Sequence, residues 1–115
     1  MSLAKSQQLF AADIIKLLQF MESQGYSFTF GDAYRAPELA AIYAKEGKGI
    51  VDSLHCKRLA LDINIFDKSG TFLPETKSHE AFGTFWESLN PANRWGGKFK
   101  RIDGNHYERN EPNGI

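Results

Sequence analysis

Leu9, Phe10, Ile14, Ile15, Leu17, Leu18 and Met21 recur at spacings of three and four, interleaved with Lys5, Gln7, Asp13, Lys16 and Gln19. That period is one apolar face of a helix, predicted over residues 4–23 and stopped near Gly25. The pattern then switches. Tyr26, Phe28 and Phe30 alternate with Ser27 and Thr29, the period of a strand. Gly31 to Ala36 reads as a loop or a continuing edge, and Pro37 opens a short helix, Glu38 to Lys45, packing Leu39, Ile42 and Tyr43. Glu46 to Ser53 reads as a mobile loop. Leu59 to Phe66 alternates again, with Leu59, Leu61, Ile63 and Ile65 on one side and Ala60, Asp62, Asn64 and Phe66 on the other. Asp67 to Gly70 is a hairpin turn from which Thr71 to Leu73 pairs back. Ser78 to Leu89 is a second amphipathic helix, with Ser78 as its cap and Phe82, Phe85, Trp86 and Leu89 inward. Asn90 to Lys98 reads as a loop, Tyr107 and its neighbours close the sheet, and the tail from Asn110 is expected to fray. Helices flanking a small, mostly antiparallel sheet define an α+β fold.

Composition adds bounds. The 115 residues suffice for one domain, 1–115, with a single modest core. Lys plus Arg balances Asp plus Glu at 14 each, so no basic face for nucleic acid is expected, and the Lys98 to Arg101 run reads as a solvated loop. A single cysteine, Cys56, forms no internal disulfide and reads as a structural thiol. Met1 to Ala12 lacks the layout of a secretory signal, and no stretch has the apolar length of a membrane span. The chain is therefore expected in the cytoplasm, without stable membrane association.

Two polar clusters interrupt the apolar pattern. Ser53-Leu54-His55-Cys56-Lys57-Arg58-Leu59-Ala60-Leu61-Asp62 holds one imidazole and one carboxylate. Asp103-Gly104-Asn105-His106-Tyr107-Glu108 adds a second imidazole and a carboxylate three residues before it. Two His and one Asp suit a catalytic zinc site, which keeps three protein ligands and leaves a position for water. The spacing constrains the backbone. Seven positions of straight strand would separate His55 from Asp62 by about 23 Å, and seven of helix by about 10 Å. The chain must turn between them, at Cys56 to Arg58, and His106 must arrive from a distant segment. A carboxylate at Asp62, among Leu, Ile, Ala and Phe, needs a partner or a metal. His79 has no such context and reads as structural.

The pattern Ser-x-His-x-x-x-x-Ala-x-Asp, then Trp95-Gly96-Gly97, then Asp-x-x-His-Tyr-Glu, resembles the zinc D,D-carboxypeptidases and L-alanyl-D-glutamate endopeptidases of peptidoglycan (VanY-type). It looks most like their small bacteriophage endolysins, and Gly31-Asp32-Ala33-Tyr34-Arg35-Ala36-Pro37-Glu38 is similar to a further family segment. The resemblance runs from about Gly31 to Glu108. It implies the fold shared by hedgehog domains and D-Ala-D-Ala peptidases. It implies zinc on His55, Asp62 and His106, with Asp103 as general base and Arg35 at the substrate carbonyl. Ser53 would order the site, and Trp95 would border the cleft as a substrate contact. The implied substrate is the peptidoglycan stem peptide. For a phage enzyme the cytoplasm is that of the host bacterium, with release to the cell wall through another protein. Many members carry Gly where this chain has Arg58, so the turn after His55 is expected to differ.

Three other readings remain open at this point. A zinc domain of the same fold can serve binding alone, though such a domain has no need of Asp103. A metal-free structural or virion protein can keep the fold. A zinc amidase cutting the sugar–peptide bond is a third.

Overall fold

The computed structural model describes residues 1–50 and 52–111. Helix α1, Leu3–Ser23, starts where the Ser2 side chain accepts a hydrogen bond from the Lys5 amide at 3.1 Å. It ends before Gly25, whose φ of 87° only glycine adopts without strain. Its buried stripe is Phe10, Ile14, Leu17 and Met21, while Ile15 is exposed. Two polar residues join that stripe. Asp13, expected on the wet face, is buried and accepts from Asn93 Nδ2 at 3.1 Å. Ser6 is buried and donates to Glu111.

Four strands form one antiparallel sheet: β1 Ser27–Phe30, β2 Ala60–Phe66, β3 Asn93–Trp95 and β4 His106–Arg109. Their order is β1-β2-β4-β3. Helix α2 is Pro37–Lys45, with Pro37 in its first turn and no side-chain cap. Helix α3 is Glu80–Leu89, preceded by a 3-10 turn at Thr76–His79. Ser78 lies inside that 3-10 turn and caps nothing, because α3 begins two residues later, with His79 at its N-cap position. The expected return of Thr71 to Leu73 is reduced to a single bridge, Phe66 to Phe72.

The segment 90–98 is more ordered than its turn-rich composition suggests. Asn93 to Trp95 pairs with β4, placing Asn93 opposite Arg109 and Trp95 opposite Tyr107. The expected fraying from Asn110 is not seen at its start: the Asn110 amide donates to Ala92 O at 2.8 Å, and Glu111 accepts from Ser6 and Arg109. The rest of that tail, like Val51 in the 46–53 loop, lies outside the described residues.

Helices α1 and α3 cover one face of the sheet. Leu17, Met21, Leu59, Ile63, Ile65, Phe82, Trp86 and Tyr107 form the core there. Phe10 meets Trp86 edge-to-face at 5.6 Å, and the Trp86 indole N–H donates to the Glu108 carbonyl at 3.0 Å. Side chains alternate across a strand. With Leu61, Ile63 and Tyr107 turned into the core, Asp62, Asn64, His106 and Glu108 stand on the opposite face. No helix among the described residues is long and apolar enough to cross a membrane.

Candidate metal centre

Ser53 fixes His55, the first candidate ligand. Its hydroxyl caps a 3-10 turn at Leu54–Lys57, accepting from the His55 amide at 3.2 Å. The chain then reverses at Arg58, with φ 57° and ψ 38°, the only non-glycine positive φ among the described residues. The turn expected to differ on account of Arg58 thus takes the left-handed form with the arginine in place. The strain of a left-handed residue is about 1–2 kcal/mol. It is offset in part by the Arg58 guanidinium, 4.0 Å from the Tyr34 ring centroid. Arg58 also donates its amide to the His55 carbonyl, and the Leu59 amide reaches Leu54 O at 3.0 Å. This is the reversal that the seven-residue spacing demanded.

Pairing does the rest. Asp62 stands opposite His106 in the β2–β4 register. His55 Nε2 lies 3.3 Å from Asp62 Oδ1, and His106 Nδ1 lies 3.2 Å from the same oxygen. One ligand atom from each of the three falls within 4.8 Å of the others. Ligand bonds of about 2 Å on a tetrahedral ion place donor atoms about 3.3 Å apart, so the cluster needs only small adjustments to close on a metal.

The other ring nitrogens are held as a metal site would need them. His55 Nδ1 is 3.1 Å from the Ala33 carbonyl, which fixes its proton there and leaves Nε2 free to ligate. His106 Nε2 is 2.7 Å from Glu108 Oε1, which leaves Nδ1 toward Asp62. Glu108 is buried and in turn takes Nε and Nη2 of Arg94 at 2.9 and 2.6 Å. Sequence reasoning assigned no role to Glu108 or Arg94. The signal was present in one half only: His106 and Glu108 are two apart and share a strand face, but Arg94 comes from the segment read as a loop.

Without an ion the cluster is held by charge. Burial works against the Asp62 carboxylate, but hydrogen bonds from His106 and His55 outweigh it and hold Asp62 at about 2. Burial also opposes the His106 imidazolium, and hydrogen bonds to Asp62 and Glu108 overcome it, lifting His106 to about 9.

Asp103 stands at the rim, half exposed, with Oδ2 3.7 Å from His106 Nδ1. Burial of its carboxyl, with Asp62 nearby, pushes its pKa up against the pull of His106, His55 and Arg35. Its backbone is fixed: the amide donates to Gly96 O at 2.9 Å, and its carbonyl accepts the His106 amide at 3.1 Å. Gly96 allows this approach, because a Cβ there would run into the Asp103 carbonyl oxygen.

Arg35 lines the same cleft of about 740 Å³ as His55, Asp103 and His106. It is aimed by Asp32, at 2.7 Å, and more loosely by Ser53 at 3.5 Å. Trp95 does not border the cleft. It is buried, its indole N–H donates to Gly104 O at 2.7 Å, and its ring packs where a Cβ on Gly83 or Gly97 would stand. Its place is beneath the loop that carries Asp103, not against a substrate. Cys56 is outside the ligand group, and His79 lies apart, buried, with Nδ1 2.7 Å from the Tyr107 hydroxyl.

A small α+β domain with a His-Asp-His cluster on the open face of its sheet is the class defined by this geometry. Residues 46–109 match the D-alanyl-D-alanine carboxypeptidase family, and the chain belongs to it. The fold is similar to that of the Serratia marcescens L-Ala D-Glu endopeptidase ChiX. The two share 16% identity and superpose with a TM-score of 0.68 over 94% of this chain and 88% of that one. No curated protein sequence matches the chain.

Proposed function

We propose that the protein is a zinc-dependent peptidase that hydrolyses a peptide bond in the stem peptide of peptidoglycan. The observation that carries this reading is the convergence of His55 Nε2, Asp62 Oδ1 and His106 Nδ1, with the Asp103 carboxylate 3.7 Å from His106 and hydrogen-bonded to none of them. The family and the fold of ChiX support it. Two nitrogens and a carboxylate oxygen, with both imidazoles oriented from behind, are a donor set that zinc accepts.

When bound, zinc supplies a Lewis acid that acidifies a water and polarises a carbonyl. Asp103 takes the proton of the attacking water and returns it to the leaving amine, and its raised pKa suits both transfers. Arg35, held by Asp32, directs positive charge into the cleft where the tetrahedral oxygen develops. Ser53 and Ala33 keep His55 in place, and Glu108 keeps His106. Asp103 also favours a peptidase over a binding-only zinc domain, which would have no use for a free carboxylate at this rim.

The setting we infer is a phage lysis enzyme, made in the cytoplasm of the host bacterium and let through to the wall by another protein. Digestion of purified peptidoglycan, with mass analysis of the fragments and a chelator control, tests the chemistry. Peptide fragments released by the zinc-loaded protein and lost with chelator are expected. Intact stem peptides after digestion by zinc-loaded protein would overturn the reading.

A further inference from the structure

The cleft continues past the metal cluster. Beyond Asp103 lies a second cavity of about 320 Å³, walled by Asn64, Phe72, Thr76 and Asn105 among others. The two cavities share Ile102 and Asp103. Strand register shows what lies between them. On this face Glu108 stands opposite both Ala60 and Arg94, and one step along the ladder His106 stands opposite Asp62. One step further, Asn105 Nδ2 donates to Asn64 Oδ1 at 3.2 Å. Same-face positions on a strand are about 7 Å apart. A peptide laid along the face would therefore meet the Arg94–Glu108 pair, the His-Asp-His cluster and the Asn pair in turn. That path of about 13 Å is the length of about four extended residues.

The two arms differ in charge. The first is lined by five cationic residues against three carboxylates. Arg35 pairs with Asp32, Lys48 with Glu46 and Arg94 with Glu108. Lys57 and Arg101, both exposed, have no carboxylate partner among the described residues. The second arm holds no Lys or Arg. It offers the amides of Asn64 and Asn105, the Thr76 hydroxyl, and His79, which burial keeps neutral at pH 7. Asp103, on the shared wall, is its one carboxylate.

We infer that the groove binds peptide on both sides of the cluster and sets its direction by charge. Residues with free carboxylates lie in the Lys57–Arg101 arm, and a neutral segment lies along Asn64 and Asn105. The inference rests on the peptidase reading and deepens it. It makes the protein an endopeptidase, with Lys57 and Arg101 as its specificity-determining residues. The bond cut is internal, between a neutral residue and one that carries carboxylates, and in the stem peptide this describes the L-Ala–D-Glu bond. Water gives its hydroxyl to the alanyl carbon, the C–N bond breaks, and the proton goes to the leaving nitrogen.

The test uses the zinc-loaded full chain and two N-acetylated peptides, L-Ala-γ-D-Glu-L-Lys-D-Ala and the same peptide with both free carboxylates as amides. Internal cleavage of both is expected, with KM about tenfold higher for the amidated one, as for the loss of a charge-assisted contact. Replacing both cations, Lys57→Gln with Arg101→Gln, should bring the two KM values together by raising the lower one. Both side chains are exposed, and an unchanged circular dichroism spectrum verifies the fold of the variant. Release of the terminal D-Ala alone, or equal KM values for the two peptides with the unaltered protein, would overturn the inference and leave a peptidase. Failure to cut either peptide, together with intact peptidoglycan, would remove the peptidase reading itself.

Discussion

Asp103 differs from the other carboxylates around His106 in accepting no hydrogen bond, its nearest charged partner being His106 Nδ1 at 3.7 Å. Asp62 is held by two imidazoles, and Glu108 by Arg94 and His106. A carboxylate that is positioned but uncommitted is free to exchange a proton. Asp103→Ala should therefore lower kcat by about 10²–10⁴-fold, the usual weight of a general base. Zinc content, measured by atomic absorption after dialysis, should stay at one per chain. Loss of the metal along with turnover would instead place Asp103 among the ligands. Glu108 predicts the opposite pair of outcomes. Its carboxylate holds the His106 ring so that Nδ1 faces the cluster, and a Gln there keeps the shape but gives up the charge. Glu108→Gln should weaken zinc affinity by about 10–100-fold, read by competition with a chelating dye. Glu108→Asp, which restores the charge, should recover part of it, and unaltered affinity in the Gln variant would reduce Glu108 to a packing residue. Asp103 and His106 were legible in the sequence as a carboxylate three residues before an imidazole. Glu108 was not, because a strand's two-residue period says which face a side chain takes but not what waits there.

Helices α1 and α3 were readable because a buried stripe imposes a strict period on them, and α1 matches its sequence expectation to within a residue at its start. In α2, opened by Pro37, the expected inward residues Leu39 and Ile42 are exposed and Ala40 is buried instead. Short elements fixed by tertiary contacts were not. Strand β3 is three residues long and sits in a run of Asn, Pro and Gly; its order comes from pairing with β4 and from the Trp95 amide bonded to Glu87. The last two residues of the 3-10 turn before α3, Ser78 and His79, likewise fall inside the helix that the pattern predicts, although the turn is anchored by His79. That ring is 1% exposed, and its Nδ1 meets the Tyr107 hydroxyl in the centre of β4. Burial lowers the His79 pKa from 6.5 to about 4. Between those values the unfolded chain takes up a proton that the folded one refuses. Stability is thus full above pH 6.5 and falls as the pH drops toward 4, by at most about 3 kcal/mol from this group. His79→Gln retains an acceptor for the tyrosine but does not titrate. Urea unfolding of the two proteins at pH 7 and pH 4 should show the wild-type advantage shrinking by that amount. An advantage constant across the range would mean that His79 takes up its proton in the folded state as easily as in the unfolded one.

For the molecule as a whole, the cluster joins a turn at 54–57, the middle of β2 and the start of β4, so an ion there would cross-link segments up to 51 positions apart, from His55 to His106. Zinc that binds this folded arrangement and not the open chain must stabilise it by mass action. At a free concentration one hundred times the dissociation constant the gain is about 2.7 kcal/mol, which for a domain of this size raises Tm by about 10 °C. The fold is not expected to depend on that gain. A buried aspartate beside two neutral imidazoles would be costly, but His106, lifted to about 9, carries a proton at pH 7 and pairs with Asp62. The metal-free protein should accordingly be folded, unlike a zinc finger that collapses without its ion. Calorimetry with and without chelator should give a cooperative transition in both states, separated by about 10 °C. Asp103→Ala should keep the full separation, and Glu108→Gln should show a smaller one. A chelated protein without a cooperative transition would show that the Asp62–His106 pair cannot hold the sheet face alone. An identical Tm in both states would show that the three side chains hold no ion.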